Sequence, residues 1–179
     1  MSEKSAYILD VRSLPYGQST QQYHITKELF DGIGTENEQK GFEDIISADI
    51  TADVMIDKSE KLISLIISCN GTIEVVCDRC LDPLDVEIAC EDNLYIKFGG
   101  DEMRDGDDVI VLDDKETKVD LAQYLYEIII TQKPYRCVHG ENGEGQCNEN
   151  MMAILEKQCK KDYDKEEIDP RWTALQKLK

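Results

Sequence analysis

Gly71–Pro83, GTIEVVCDRCLDP, is the stretch on which the reading of the chain turns. It follows Asn70, and Asn-Gly is the pair that type I′ hairpins favour, since both central positions need positive φ. A hairpin is therefore expected at Asn70-Gly71, joining a strand over Leu62–Cys69 to a second one carrying Ile73, Val75 and Cys77. That strand ends in Cys77-Asp78-Arg79-Cys80. Two thiols separated by two residues can point from one turn into one small volume, as a metal ion or a disulfide requires. Pro83 and a new alternating run then hold the turn in place.

Outward from this stretch the alternation continues. Downstream, Leu84, Val86, Ile88, Cys90, Leu94, Ile96 and Phe98 share one face of a long strand. Upstream, Ile46, Ala48, Ile50, Ala52, Val54 and Ile56 occupy one face, and Asp57-Lys58-Ser59-Glu60 turns the chain. Tyr7, Leu9 and Val11 form a short first strand, and Tyr23 and Ile25 another. Thr26 then caps a short helix with Leu29, Phe30 and Ile33, stopped by Gly34. Residues 35–41 read as a polar loop. Residues 101–120 are acidic, with one strand at Val109–Leu112.

Asp120 is expected to cap a helix with Gln123 in a capping box, Leu121, Tyr124, Leu125, Ile128 and Ile129 as its apolar stripe, and Pro134 as its stop. A helix from about Asn148 carries Met152, Leu155 and Cys159, and Asp169-Pro170 opens a last short one. The fold class is thus α+β: an antiparallel meander of five to seven strands, curled toward a barrel, with one packed amphipathic helix and short C-terminal helices. The expected division is a single domain over 1–160 and a charged tail over 161–179.

The chain carries 38 acidic against 20 basic residues in 179, a net charge of −18. Such a surface repels phosphate backbones, so direct binding of bare RNA is disfavoured. It attracts basic proteins. The opening residues show no signal-peptide pattern, and no apolar run is long enough to span a bilayer. Cytoplasmic localisation and reduced thiols follow as expectations. Seven cysteines cannot all pair with one another.

Three readings of Cys77 and Cys80 stand open. A redox pair needs a helix N-terminus to stabilise the thiolate, whereas an alternating strand follows here. A metal site, with zinc the natural ion, would take Cys77, Cys80, His139 and Cys147, with Cys137 a rival to His139. The remaining reading is buried, reduced thiols packed as small apolar side chains, and Cys69, Cys90 and Cys159 are assigned to it. No nucleophile with an adjacent base and no phosphate-binding loop is present, so neither an enzyme nor a small-molecule substrate is expected. Trp172 is a candidate docking anchor, since aromatic residues dominate interface energies.

Taken together, Cys77-Asp78-Arg79-Cys80-Leu81-Asp82-Pro83, Val119-Asp120-Leu121, Glu127-Ile128-Ile129, Pro134, His139, Cys147-Asn148 and Asp169-Pro170-Arg171-Trp172 resemble the YceD family. These are the large ribosomal RNA subunit accumulation proteins of bacteria and plastids. The resemblance spans residues 7–178. It implies a non-enzymatic factor supporting large-subunit ribosomal RNA accumulation, whose partner is a basic ribosomal protein or a pre-ribosomal particle. The positions matching the family pattern are Cys77, Arg79, Cys80, Asp120, Glu127, His139 and Cys147. Arg79, Asp120, Glu127, Arg171 and Trp172 are the residues expected to meet the partner. The rival class is a metal-stabilised interaction module unrelated to ribosomes.

Overall fold

The computed structural model describes residues 6–36, 45–98, 108–113 and 115–163. In chain order the elements are β1 (Ile8–Asp10), β2 (Gly17–Thr26), α1 (Lys27–Glu36), β3 (Ile45–Lys58), β4 (Leu62–Val76), β5 (Pro83–Phe98), β6 (Val109–Leu112), β7 (Lys118–Asp120), α2 (Ala122–Gln132) and α3 (Glu149–Tyr163). The class is α+β. One sheet has the order β2-β3-β4-β5-β6, and β1 pairs with β7 as a separate ribbon. The strands from β2 to β5 are antiparallel neighbours, while β6 runs parallel to β5. Among the described residues the barrel does not close, because β2 and β6 end the sheet without meeting.

The expected hairpin at Asn70-Gly71 does not form. β4 runs unbroken through it, with Gly71 opposite Ile50 on one side and Ile88 on the other. A local turn preference is small beside a ladder that pairs β4 along nearly its whole length with two neighbours. The glycine serves a close approach instead. A Cβ on Gly71 would collide with the carbonyl of Asp49 and stand 2.6 Å from Cα of Ile50. What looked like two strands is one, so the Cys77 turn lies at the end of a 15-residue strand.

Inward residues of β4 (Ile63, Leu65, Ile67, Ile73 and Val75) are fully buried. Burial of each such side chain contributes about 1.5–3 kcal/mol. On β3 the alternation slips at a bulge between Ile45 and Ser47. Ile45 is buried in consequence, and Ile46, expected on the core face, is exposed. Leu29 and Phe30 of α1 and Leu125 and Ile129 of α2 join the same core.

The N-terminal segment ties the other layers together. Leu9 and Val119 are partners in the β1–β7 ribbon, and Tyr7 O accepts the Leu121 N–H. Lys58 Nζ donates to the carbonyls of Val11 and Leu14, which fastens the first loop to the sheet. α1 runs to Glu36, past the expected stop at Gly34. α2 begins without the expected capping box: Asp120 Oδ1 accepts the Ala122 N–H, but the Gln123 side chain turns along the helix to Glu127. The helix ends where Lys133, at φ −59° and ψ 126°, adopts the extended shape a following proline imposes. Cys159 is exposed on α3 and Cys90 half-buried, so neither is the core thiol expected; Cys69 is. The expected 35–41 loop falls largely, and the expected last helix wholly, outside the described residues.

Candidate metal centre

Four donors from two distant segments converge. The ligand atoms of Cys77, Cys80, His139 and Cys147 all lie within 4.8 Å of one another. Donors around a tetrahedral zinc with 2.3 Å bonds stand about 3.8 Å apart, so a small contraction would complete the shell.

The first half is built by the β4–β5 connection. Cys77 N–H bonds Asp82 O, and Leu81 N–H bonds Cys77 O, closing the turn at its base. Leu81 takes φ 65°, a left-handed backbone that an exposed leucine adopts only at a cost. The second half is a loop folded on itself, with Gly140 N–H bonded to Gly143 O and Val138 N–H to Asn142 Oδ1. Gly143 is required there. A Cβ would strike the Leu84 side chain and stand 2.8 Å from Asp85 O.

A reciprocal clasp joins the halves. Asp78 N–H donates to Cys137 O at 2.8 Å, and Cys137 N–H donates to Asp78 Oδ2 at 2.6 Å. Cys137 therefore serves through its backbone. Its Sγ turns to Pro134 O and is not among the four converging donors. A carboxylate between two cysteines was the available signal for this clasp, and sequence reasoning left it unused. His139 Nε2 donates to Pro83 O at 3.1 Å, which turns Nδ1 toward Cys80 Sγ at 3.4 Å. Fixing one ring nitrogen on a carbonyl so that the other faces the ion is the usual outer-shell device of metal-binding histidines.

The electrostatics show why a cation fits. Burial pushes the Cys77 thiol up, but the backbone N–H groups of Cys80, Arg79 and His139, with the His139 ring, outweigh it and bring the thiol down to about 6. Cys147 is raised, first by burial and then by the two neighbouring sulfurs. One thiolate is welcome and further ones repel each other. A divalent ion removes that conflict, and three thiolates with one imidazole form a donor set that suits zinc. A helix, which a redox pair needs, does not follow Cys80; β5 does.

Arg79 stands beside the cluster, its guanidinium 2.8 Å from Glu141 and in contact with Cys147. Arg136 reaches the other Glu141 oxygen at 3.7 Å. Of the remaining residues expected to meet a partner, Asp120 ends β7 and Glu127 lies exposed on α2. Arg171 and Trp172 lie outside the described residues.

Residues 65–179, well over half of the chain, match the family described as large ribosomal RNA subunit accumulation protein YceD. The chain belongs to the YceD family. The match takes in every candidate ligand and leaves β1–β3 outside it, although β3 and β4 pair along nearly their full length. Neither a curated protein nor a solved structure matches the chain. Among the described residues no helix is long and apolar enough to cross a membrane.

Proposed function

We propose that this YceD-family chain is a non-enzymatic factor that supports accumulation of large-subunit ribosomal RNA. It would act during ribosome assembly by holding a basic ribosomal protein or a pre-ribosomal particle. The observation that carries the reading is the family match over residues 65–179. The net charge of −18 supports a basic protein as the first partner over bare RNA, because an acidic surface raises the encounter rate with cations and lowers it with phosphates. Arg79, Asp120, Glu127, Arg171 and Trp172 are the residues proposed to meet that partner.

In this reading zinc on Cys77, Cys80, His139 and Cys147 has a structural task. Four protein donors fill a tetrahedral shell and leave no position for a substrate. The ion would supply cross-linking of the β4–β5 turn to the 137–147 loop, making a rigid platform at one end of the sheet. Elemental analysis is expected to give one zinc per chain. In a deletion strain, sucrose gradients are expected to show a deficit of large subunits that the intact gene restores. A normal gradient would favour a metal-stabilised interaction module outside the ribosome.

A further inference from the structure

Among the described residues, one stretch of the sheet edge is left open beside acidic grooves. β6 pairs only with Tyr95–Phe98 of the 16-residue β5. On that side Tyr95 N–H donates to Asp108 O. Successive residues of a strand turn their backbone groups to opposite neighbours, so Glu87, Ala89 and Glu91 present N–H and C=O to the same edge. Among the described residues no strand pairs with them. The opening is bounded at both ends. Asn93 N–H is taken by Asp92 Oδ1, and at the far end the Gly143 loop lies against Asp85 O. What remains, Glu87–Asp92, is about 20 Å of edge at roughly 3.4 Å per residue.

The flanks are shaped and charged. Between this edge and α2 lies a groove of about 240 Å³, floored by Leu94, Tyr124 and Ile128 and rimmed by Glu91, Asp92, Asp108 and Glu127. A second hollow of about 410 Å³ at the other end holds Glu87, Glu144 and Pro134. Beside Pro134 stands Tyr135, fully exposed, an aromatic of the kind that anchors interfaces. Of the cations on the neighbouring segments, Arg79 and Arg136 are engaged by Glu141. The opposite edge of the sheet, β2, carries no carboxylate at all. Charge therefore selects β5.

We propose that the open edge Glu87–Asp92 of β5 is the docking site for an extended, lysine- and arginine-rich segment of a protein partner, which adds as a strand in line with β6. Main-chain pairing supplies affinity in such strand addition, and pockets for alternate side chains supply selectivity. A lysine or arginine stem fits along Leu94 and Ile128 while its charged end meets the rim. Phosphate, repelled by the same rim, does not fit. This deepens the ribosomal reading and rests on its basic protein partner.

The test uses the full chain, isotope-labelled, with a ten-residue peptide of alternating lysine and threonine as probe and a glutamate–threonine peptide as control. The lysine peptide is expected to protect the amides of Glu87, Ala89 and Glu91, which face the open edge, from exchange, with affinity that falls as salt rises. Glu87→Lys with Glu91→Lys is expected to weaken binding by roughly tenfold or more, by reversing the charge the peptide meets. Ala89→Pro, which removes a donor from the open edge and none from the β4 ladder, should weaken it as much. Gln22→Lys on β2 should leave it unchanged. Protection elsewhere, or unchanged affinity in the double charge variant with native circular dichroism, overturns the proposal; that variant decides if Ala89→Pro does not fold. Capture from extract separates this idea from the one beneath it. Equal capture of basic large-subunit proteins by wild type and double variant overturns the edge and leaves the ribosomal reading standing. Peptide binding at the edge with no such protein captured supports the edge and overturns the ribosomal partner.

Discussion

Cys69 and Cys77 lie eight positions apart, both without solvent exposure, and have opposite chemistry. Cys69 sits mid-ladder on β4 opposite Cys90. Burial pushes its thiol up to about 12, and the neighbouring Cys90 adds to the effect. Cys77 sits just past the strand end, where burial is outweighed by three backbone N–H groups and a histidine, so its thiol falls to about 6. In a ladder the N–H groups are consumed by strand pairing. In a turn they are free to aim at a sulfur. Burial alone makes a cysteine inert, and burial among unspent donors favours its thiolate, the form a metal would bind.

The largest test of that contrast is substitution. Cys77→Ser is expected to reduce zinc from one per chain to near none. Structural zinc contributes about 10–16 kcal/mol in small sites, so even a fraction of that would lower the thermal midpoint by more than about 10 °C. Cys69→Ala should leave zinc stoichiometry intact and cost about 1–2 kcal/mol, the scale of a small core cavity. A Cys69 variant that sheds metal, or a Cys77 variant that keeps it, breaks the comparison.

Next in size is the pH response of the metal-stripped, reduced protein, measured by denaturant unfolding. The folded value of Cys77 lies below its unfolded one, near 9, so its contribution is present above pH 9 and is lost as pH falls toward 6. The folded value of Cys69 lies above, so its contribution holds below pH 9 and is lost as pH rises toward 12. A stability maximum near pH 9 is expected, and Cys77→Ser should remove its acid limb alone. Alkylation of the stripped protein at neutral pH sharpens the point further. Mass spectrometry should find exposed Cys159 modified readily, and, of the two buried thiols, Cys77 well before Cys69, which reacts only after global unfolding.

The smallest expected effect is at Arg79. Its ion pair with Glu141 is partly exposed, so water and salt screen most of the attraction. Arg79→Ala should speed zinc loss to a chelator a few-fold without changing stoichiometry. A large loss of zinc would make Arg79 part of the site's frame.

Most of the strands were legible because one face of each is buried and the side-chain period is two. Ile46 was misplaced because a bulge is a tertiary choice that shifts the period by one residue. The supposed hairpin at Asn70-Gly71 failed for a related reason. The pair's local preference is real, but Gly71 was needed where the backbones of Asp49 and Ile50 approach. Among the ligands, the Cys77–Cys80 turn was visible from spacing. The sequence named His139 with Cys137 as its rival, since both lie on one short stretch, and only folding decides which side chain faces the other three donors.

By itself, then, the sequence determined an α+β chain with long alternating strands, a net charge of −18, and a thiol-bearing turn between two of them. Those properties depend on neighbours in the chain and on composition. The tertiary structure decided that the sheet stays open, that Asp78 clasps Cys137 across 59 positions, and that four donors meet. Such outcomes depend on segments far apart in sequence, whose approach is set by packing of the whole sheet and by no local pattern.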